Sequence, residues 1–351
     1  MNLYNFIFDY FFLNFLKFLK QNLHVKLSGK VVLSGMRPTG KLHLGHLVGV
    51  LENWVNLQKE HKCFFLIADY HALTTNLDTS EIYQNSIEML IDWLASGVDP
   101  NLSPVFRQSQ IKEHAELHLI FSMLITVSRL ERNPTLKEQV RDLQLDNISY
   151  GHLGYPVLQA ADILLYKGEL VPVGEDQLPH LEITRDIARR FNQTYAPVFP
   201  EPEPLLTEFA RLPGLDGKRM SKSLGNTILI SDPPEEIKKK MKKAFTDPQK
   251  IYKGDPGRPD ICLVFTYHKK FNPEEVPEIR KGCESGQLGC VECKAKVSEK
   301  IIEFLKPIHE KRAYFESNVK EVKEILLAGE EKAREVARKT MHDVHEAMKL
   351  G

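Results

Sequence analysis

Short apolar runs alternate with amphipathic segments along the first part of the chain. The runs KVVLSG (30–35), CFFLIADYHA (63–72) and PVFRQS (104–109) are too short for helices and are typical of strands. Between them, residues 45–61 and 86–98 place apolar side chains at helical spacing. This order of strand, helix, strand, helix and strand predicts a parallel sheet with crossover helices.

The pattern changes after about residue 230. Three charged segments, at 233–245, 297–317 and 319–348, are amphipathic with a helical period and carry little strand signal. We therefore expect an α/β fold with a Rossmann-like, doubly wound parallel sheet in residues 28–230. An all-helical C-terminal domain should follow in residues 231–351.

The first twenty residues, MNLYNFIFDYFFLNFLKFLK, are aromatic and apolar, but asparagine, aspartate and lysine interrupt them. No uninterrupted stretch approaches the length of a bilayer span, and the segment lacks the basic start and the cleavage site of a secretory signal. We expect residues 1–27 to be a peripheral extension, and we expect no membrane partner.

Composition adds two limits. Lysine plus arginine and aspartate plus glutamate number 47 each, so the formal net charge is zero. No global basic field predicts binding to DNA, although a local basic face is sufficient for a nucleic acid. Five cysteines do not make a disulfide scaffold in a chain of 351 residues.

The loop RPTGKLHLGH (37–46) follows the first predicted strand, where open α/β sheets bind ligands. His43 and His46 lie three residues apart, so the first turn of the next helix places them on nearly one face. A helix N-terminus favours anions, and two imidazole donors there predict a phosphate-facing site. Histidines on a helix surface are the alternative. The loop fits neither the Walker A pattern nor G-x-G-x-x-G.

This loop resembles the His-x-Gly-His signature of class I aminoacyl-tRNA synthetases, and RMSKS (219–223) resembles the second signature of that class, with Arg219 in place of its first lysine. The resemblance implies binding of ATP and Mg²⁺, with His43, His46 and Lys222 as catalytic residues. The residues implied for ATP binding are Arg37, Thr39, Gly45, His46, Lys137, Asp176, Arg219, Met220, Ser221 and Lys222. For Lys137, an exposed helix lysine is an equally good interpretation.

Residues 154–192 resemble the tryptophanyl-tRNA synthetases of that class. Asp162 lies in the apolar helical segment LQAADILLY, where a carboxylate needs a partner, and the N–H of an indole is a suitable one. The alternative is a helix-surface acid that pairs with Lys167 or with a neighbour. The resemblance implies a tryptophan site that comprises Asp162, Tyr155, Gln159, Gln177 and His71. Gln159 stands where many bacterial members have methionine.

The resemblance implies that the chain attaches L-tryptophan to tRNA(Trp) through a tryptophanyl adenylate. It also implies a class I catalytic domain in residues 28–230, an anticodon-binding domain in residues 231–351, a homodimer and a cytoplasmic location. A tyrosyl enzyme of the same class is the nearest alternative. A non-catalytic RNA-binding paralogue and a nucleotidyltransferase that acts on another carboxylate are more distant ones.

Cys262, Cys283, Cys290 and Cys293 form the pattern C-x20-C-x6-C-x2-C. Tetrahedral zinc is the common use of four thiolates, and an iron–sulfur cluster is also compatible with them. Unliganded thiols are the further alternative. Some bacterial tryptophanyl-tRNA synthetases carry a [4Fe–4S] cluster at a similar pattern, so the resemblance favours the cluster over zinc. Its role should be structural, because adenylate formation needs no electrons.

Overall fold

A computed structural model describes residues 29–142, 147–206 and 212–350. The expected N-terminal extension, residues 1–27, lies outside the described residues.

The described residues form a sheet of five parallel strands in the order β3-β2-β1-β4-β5. The strands are β1 (Val31–Met36), β2 (Lys62–Ile67), β3 (Val105–Arg107), β4 (Leu170–Val173) and β5 (Glu203–Leu206). From β1 the chain builds outward to β3, and it then returns to add β4 on the other side of β1. This doubly wound order has its topological switch point between β1 and β4.

Helices connect the strands on the faces of the sheet, as the sequence predicted. They are α1 (Leu44–His46), α2 (Glu52–Glu60), α3 (Asp69–Leu73), α4 (Ile82–Ala95), α5 (Glu113–Ser122), α6 (Val127–Glu131), α7 (Pro134–Asp142), α8 (Tyr150–Leu153), α9 (Tyr155–Leu165) and α10 (Leu178–Thr194). A π-helical turn, Leu47–Leu51, joins α1 to α2. The run at 63–72 divides into β2 and α3, so its second half is helical rather than extended.

After residue 230 the described elements are helical. They are α11 (Pro234–Lys242), α12 (Leu263–Phe271), α13 (Val276–Glu284), α14 (Cys290–Ser317) and α15 (Val319–Met348), with single 3-10 turns at Pro259–Ile261 and Pro273–Glu275. The predicted class, a Rossmann-like parallel sheet with a helical C-terminal region, is confirmed.

The C-terminal helices pack directly on the sheet. A Cβ atom at Gly329 of α15 would lie 2.0 Å from the carbonyl oxygen of Val105 in β3, so only glycine permits this approach. Val322 and Leu326 of the same helix share one hydrophobic core with Val32 of β1. The two regions are therefore joined by apolar packing as well as by the chain. Within the described ranges, no helix is both long and apolar enough to cross a bilayer.

Candidate active site

A cavity of about 580 Å³ opens at the carboxyl edge of the sheet, beside the switch point between β1 and β4. The sequence-predicted residues that line it are Arg37, His71, Tyr155, Gln159, Asp162, Asp176, Gln177 and Arg219. All five residues predicted to bind the amino acid therefore border one space. Its position agrees with the rule that open α/β sheets bind ligands at this edge.

Asp162 of α9 is the most densely bonded carboxylate at this cavity, with only 3% of its surface exposed. His71 Nε2 donates to its Oδ2 at 3.0 Å, and His114 Nδ1 donates to its Oδ1 at 2.6 Å. Gln108 Nε2 lies 2.7 Å from Oδ1 and 2.9 Å from Oδ2. The predicted alternative, a helix-surface acid, is wrong, because Asp162 is buried and Lys167 pairs instead with Asp343 at 2.6 Å.

These donors keep Asp162 ionised in the protein interior. Burial, the largest single influence, raises the pKa of Asp162. The charges and hydrogen bonds of His114 and His71 outweigh burial and hold that pKa below its ordinary value. The cavity wall thus presents a charged acceptor to any donor on a bound ligand.

Aromatic and amide side chains surround Asp162. The ring of Tyr155 lies edge-on to the rings of His71 and His180, with centroids 5.4 and 4.8 Å apart. The Oε1 atom of Gln159 is buried and has no hydrogen-bond partner among the described residues. An unsatisfied acceptor beside a cavity is suited to a ligand donor.

The residues near the end of β4 are placed by the 3-10 turn Glu175–Gln177. Thr135 Oγ1 donates to the carbonyl of Asp176 at 2.8 Å, and Gln177 Nε2 donates to the Asp176 carboxylate at 3.3 Å. The carboxylate of Asp176 and the amide of Gln177 are thereby fixed at the cavity.

His43 and His46 form a stacked pair at the start of α1, with ring centroids 3.7 Å apart. Burial, followed by the charge of Lys222, lowers the pKa of His43 to about 4. Burial and the neighbouring His43 lower the pKa of His46 to about 3. Both rings are therefore neutral near pH 7, so each carries one N–H and no positive charge.

The loop that contains RMSKS closes onto this histidine pair. Lys222 Nζ donates to the carbonyl oxygens of Thr39 and Lys41. The backbone N–H of Gly45 contacts Met220 Sδ at 3.4 Å. A Cβ at Gly45 would lie 3.0 Å from His43 Nδ1 and 3.3 Å from Met220 Sδ, so a larger residue would push the two loops apart.

Asn226 gives the RMSKS loop its shape. Its Oδ1 accepts the backbone N–H of Ser221 at 2.8 Å, and its Nδ2 donates to the Arg219 carbonyl at 3.0 Å. Arg219 lines the cavity and also influences the pKa of both histidines, so it lies between the cavity and the histidine pair.

Lys137 is the predicted residue that the structure separates from the others. It is exposed on α7 and is not among the residues that line the cavity, whereas Thr135 and Glu138 of the same helix are. Its contact with ATP stays a prediction.

Sequence reasoning missed Gln108 and His114, which bind Asp162. Gln108 directly follows β3, so its position at a strand end was a usable signal. His114 lies on α5 and carried no such signal, because a single histidine in a helix is common in hydrophobic cores and does not by itself indicate a site.

The four cysteines gather at the start of α14. Cys262 precedes α12, Cys283 lies in α13, and Cys290 and Cys293 lie in the first turn of α14. Burial and the charges of the other three thiols raise the pKa of Cys293 to about 12. Among residues 29–142, 147–206 and 212–350, no group of three or more His, Cys, Asp or Glu is arranged to hold a metal ion. The predicted metal site is not confirmed.

Comparison with known proteins identifies the family. The model of tRNA synthetases class I (W and Y) matches residues 29–306. The chain belongs to this class of synthetases.

Named relatives narrow the assignment. The chain is 47% identical to the tryptophan–tRNA ligase of Aquifex aeolicus, over 91% of this chain and 99% of that protein. It is 49% identical to the tryptophan–tRNA ligase of Thermotoga maritima over the same shares. Within the class, the chain belongs to the tryptophan–tRNA ligase family.

A solved structure agrees with both comparisons. Tryptophanyl-tRNA synthetase from Campylobacter jejuni, complexed with ADP and tryptophan, superposes with a TM-score of 0.83 and 35% sequence identity. The match covers 91% of this chain and 99% of that chain.

Proposed function

We propose that this chain activates L-tryptophan with ATP and transfers the amino acid to tRNA(Trp). The tryptophan carboxylate attacks the α-phosphorus of ATP, a new C–O–P linkage forms, and pyrophosphate leaves. The acyl group then passes from the adenylate to the 3′-terminal adenosine of the tRNA, and AMP leaves. The observation that carries the proposal is the ionised, buried Asp162 on the wall of a cavity beside the two signature loops.

Asp162 reads the indole N–H. A carboxylate offers about four lone-pair sites, and three side chains make four contacts with this one, two of them from the single Gln108 Nε2. In this proposal the indole N–H takes one of the two positions that Gln108 Nε2 shares. An indole N–H is a suitable further donor, whereas a phenol hydroxyl of tyrosine would place its oxygen differently. Tyr155 and Gln177 hold the amino group, and His71 and Gln159 shape the pocket around the ring.

The loops bind the triphosphate. Arg37, Thr39 and Gly45 belong to the first loop, and Lys222 leaves the carbonyls of Thr39 and Lys41 to bind phosphate oxygens. The other residues proposed to contact ATP are His46, Arg219, Met220, Ser221, Lys137 and Asp176, the last of them at the ribose.

Catalysis comes from positioning and charge stabilisation, because the substrate carboxylate is already a nucleophile. Neutral His43 and His46 donate hydrogen bonds to the phosphates while the α-phosphorus is attacked. Lys222 places its positive charge on the departing pyrophosphate. Mg²⁺, when bound, supplies further neutralisation of the triphosphate.

One assay tests this activity. The purified chain should exchange labelled pyrophosphate into ATP only when tryptophan is present. Tyrosine, as the control, should not support exchange above the rate without amino acid. Exchange driven by tyrosine would favour the tyrosyl alternative, and no exchange with either amino acid would favour a non-catalytic paralogue.

The helices of residues 231–351 bind the tRNA anticodon in this proposal, residues 28–230 form the catalytic domain, and the chain works as a cytoplasmic homodimer. A run of lysines on and after α11 offers a local basic face. Three of these lysines form ion pairs: Lys238 with Glu299, Lys239 with Glu236 and Lys240 with Asp232. Lys242 and Lys243 are exposed, so they are the better candidates for contacts with RNA phosphates.

We propose further that the four cysteines hold a structural [4Fe–4S] cluster, with zinc as the second choice. In such a cluster each thiolate binds a different iron, so the thiols need not converge on one ion. Neighbouring thiols contribute to the raised pKa of Cys283 and of Cys293, and the described cysteines form no disulfide; both observations support a shared site.

The metal content decides between the two forms. Anaerobic purification should give a brown protein with about four irons per chain. Cys293→Ser should lose the iron, whereas Cys63→Ser should keep it, because Cys63 is buried in β2 outside the group. A colourless protein with stoichiometric zinc would support the zinc site instead of the cluster. A metal-free protein that still charges tRNA would contradict both metal proposals.

A further inference from the structure

A second buried carboxylate, Asp92 of α4, contacts the backbone of the first signature loop. None of its surface is exposed. Its Oδ2 accepts the backbone N–H of Leu42 at 3.0 Å, and Leu42 immediately precedes His43. The proposed chemistry assigns no role to Asp92, although it holds the loop one residue before a catalytic histidine.

The cation that faces Asp92 comes from the C-terminal helices. Arg312 of α14 is 3% exposed, and its Nη1 pairs with Asp92 Oδ1. The same guanidinium pairs with Glu88 at 2.7 Å and with Glu316 at 3.0 Å. Breaking a buried pair leaves an uncompensated charge, so the position of Arg312 and the position of Asp92 depend on each other.

The same helix also contacts the segment that follows RMSKS. His309 lies one turn before Arg312, and its Nε2 contacts the carbonyl oxygen of Ile230 at 2.8 Å. The N–H of Ile230 donates to the carbonyl of Leu42 at 2.9 Å. Leu42 is therefore held at its N–H through Asp92 and at its carbonyl through Ile230, and α14 contacts both supports.

The N-terminal end of α14 carries two of the four cysteines, Cys290 and Cys293. Cys293 and Arg312 lie on one continuous helix, so about 1.5 Å per residue places them roughly 30 Å apart. The cysteines and the contacts with Asp92 and Ile230 therefore belong to one helix, in which Pro307 lies between them.

We propose that Asp92 and Arg312 are positioning residues for amino-acid activation, which fix Leu42, and through it His43, to helix α14. The placement of the C-terminal helices then sets the geometry of the catalytic loop. This inference rests on the proposed function, because its effect is on the rate of adenylate formation.

The test measures kcat and KM for tryptophan in pyrophosphate exchange, using the full chain. Variants are Arg312→Met, Arg312→Lys, Asp92→Asn and the double variant Asp92→Asn/Arg312→Met. The matched control is Glu330→Gln. Glu330 is a buried acid on α15 that pairs with Arg107 of β3 at 2.6 Å, and this pair joins the same two regions without contacting Leu42.

Arg312→Met and Asp92→Asn should each lower kcat about tenfold while KM for tryptophan stays within about twofold, since small misplacements of reacting groups are costly. Arg312→Lys keeps a cation for Asp92 and should recover most of the rate. The double variant should be no worse than the poorer single variant, because both act through one contact. Glu330→Gln should keep kcat within about twofold of the unchanged protein.

Three results would overturn the inference: full kcat in Arg312→Met, an equal loss in Glu330→Gln, or additive losses in the double variant. If Arg312→Met does not fold, the kcat values of Arg312→Lys and Asp92→Asn test the inference. A full kcat in Asp92→Asn would then overturn it. Failure of the proposed function itself is distinct, since the unchanged protein would then show no tryptophan-dependent exchange.

Discussion

Asp162 and Asp92 are both carboxylates buried in the protein interior, but their surroundings differ. Asp162 lies on a cavity and receives hydrogen bonds from two histidines and a glutamine. Asp92 lies on α4, on the side that faces α14, and it contacts the guanidinium of Arg312 and the backbone N–H of Leu42. Burial raises the pKa of both, yet the pKa of Asp162 ends below its ordinary value, whereas that of Asp92 rises to about 6.

We infer from this difference that Asp162 is suited to binding a ligand, whereas Asp92 joins parts of the fold. The donors around Asp162 come from the turn after β3, from α3 and from α5, so several elements hold a charge at the edge of the sheet. The guanidinium of Arg312 that faces Asp92 is shared with Glu88 and Glu316, and the neighbouring Glu88 also raises the Asp92 pKa. Dense hydrogen bonding therefore stabilises a charge for a substrate, while a shared cation joins two parts of the fold.

The largest expected effect is at Asp162. Asp162→Ala should raise KM for tryptophan by about 100-fold or more, because a site built around a hydrogen bond loses discrimination when its acceptor is removed. KM for ATP should change little. Steady-state pyrophosphate exchange, with ATP and tryptophan varied separately, measures both. An unchanged KM for tryptophan would contradict the proposal that Asp162 binds the indole N–H.

Removing charge and donors from the signature loops should lower turnover instead. Lys222→Ala and His43→Ala should each reduce kcat for adenylate formation by about 100-fold, as expected for groups that stabilise transition-state charge. Tryptophan affinity should stay nearly constant, in contrast to Asp162→Ala. Single-turnover formation of the adenylate checks the rate. Lost tryptophan binding with normal turnover would indicate a structural role for these residues.

The two carboxylates should also affect stability with opposite dependence on pH. A raised pKa means that the folded state binds the Asp92 proton more tightly than the unfolded state does. The Asp92 contribution to the free energy of unfolding therefore falls as pH rises from about 4 to about 7, by up to about 3 kcal/mol at about 1.4 kcal/mol per pKa unit. The contribution of Asp162, whose pKa is lowered, is present above pH 4 and is lost in more acidic solution.

Urea unfolding of the unchanged protein, Asp92→Asn and Asp162→Asn across this pH range measures the contrast. Relative to Asp92→Asn, the unchanged protein should become less stable as pH rises. Relative to Asp162→Asn, the stability of the unchanged protein should show no such trend above about pH 5, because Asp162 stays ionised throughout that range. Parallel curves for all three proteins would contradict the difference between the two sites.

The smallest expected effect concerns the exposed lysines at the end of α11. Lys242→Glu combined with Lys243→Glu should weaken tRNA charging severalfold and reduce its salt dependence, because phosphate contacts release counterions. Pyrophosphate exchange should survive, because it needs no tRNA. An equal loss of both activities would indicate damage to the catalytic region.

The sequence predicted those parts of the fold and site that depend on local pattern. Strands β1 to β3 are short apolar runs, and Asp162 stood out as one charge in an apolar helix. By contrast, β5 is a four-residue edge strand that contains Pro204, so its pattern carries little strand signal.

Contacts between distant residues could not be predicted. Gln108 is 54 residues from Asp162, and His114 is 48 residues from it. Arg312 is 220 residues from Asp92. Neither spacing nor composition of one sequence specifies such pairs, since they depend on how helices pack on the finished sheet.

The most direct test of the account compares tryptophan with its benzothienyl analogue, in which sulfur replaces the indole N–H. If Asp162 reads that N–H, the unchanged protein should use the analogue with kcat/KM at least about 100-fold below that for tryptophan, because the carboxylate is left without its donor. Asp162→Ala should use the two amino acids almost equally. Equal use of both by the unchanged protein would contradict the assignment of Asp162 as the residue that selects tryptophan.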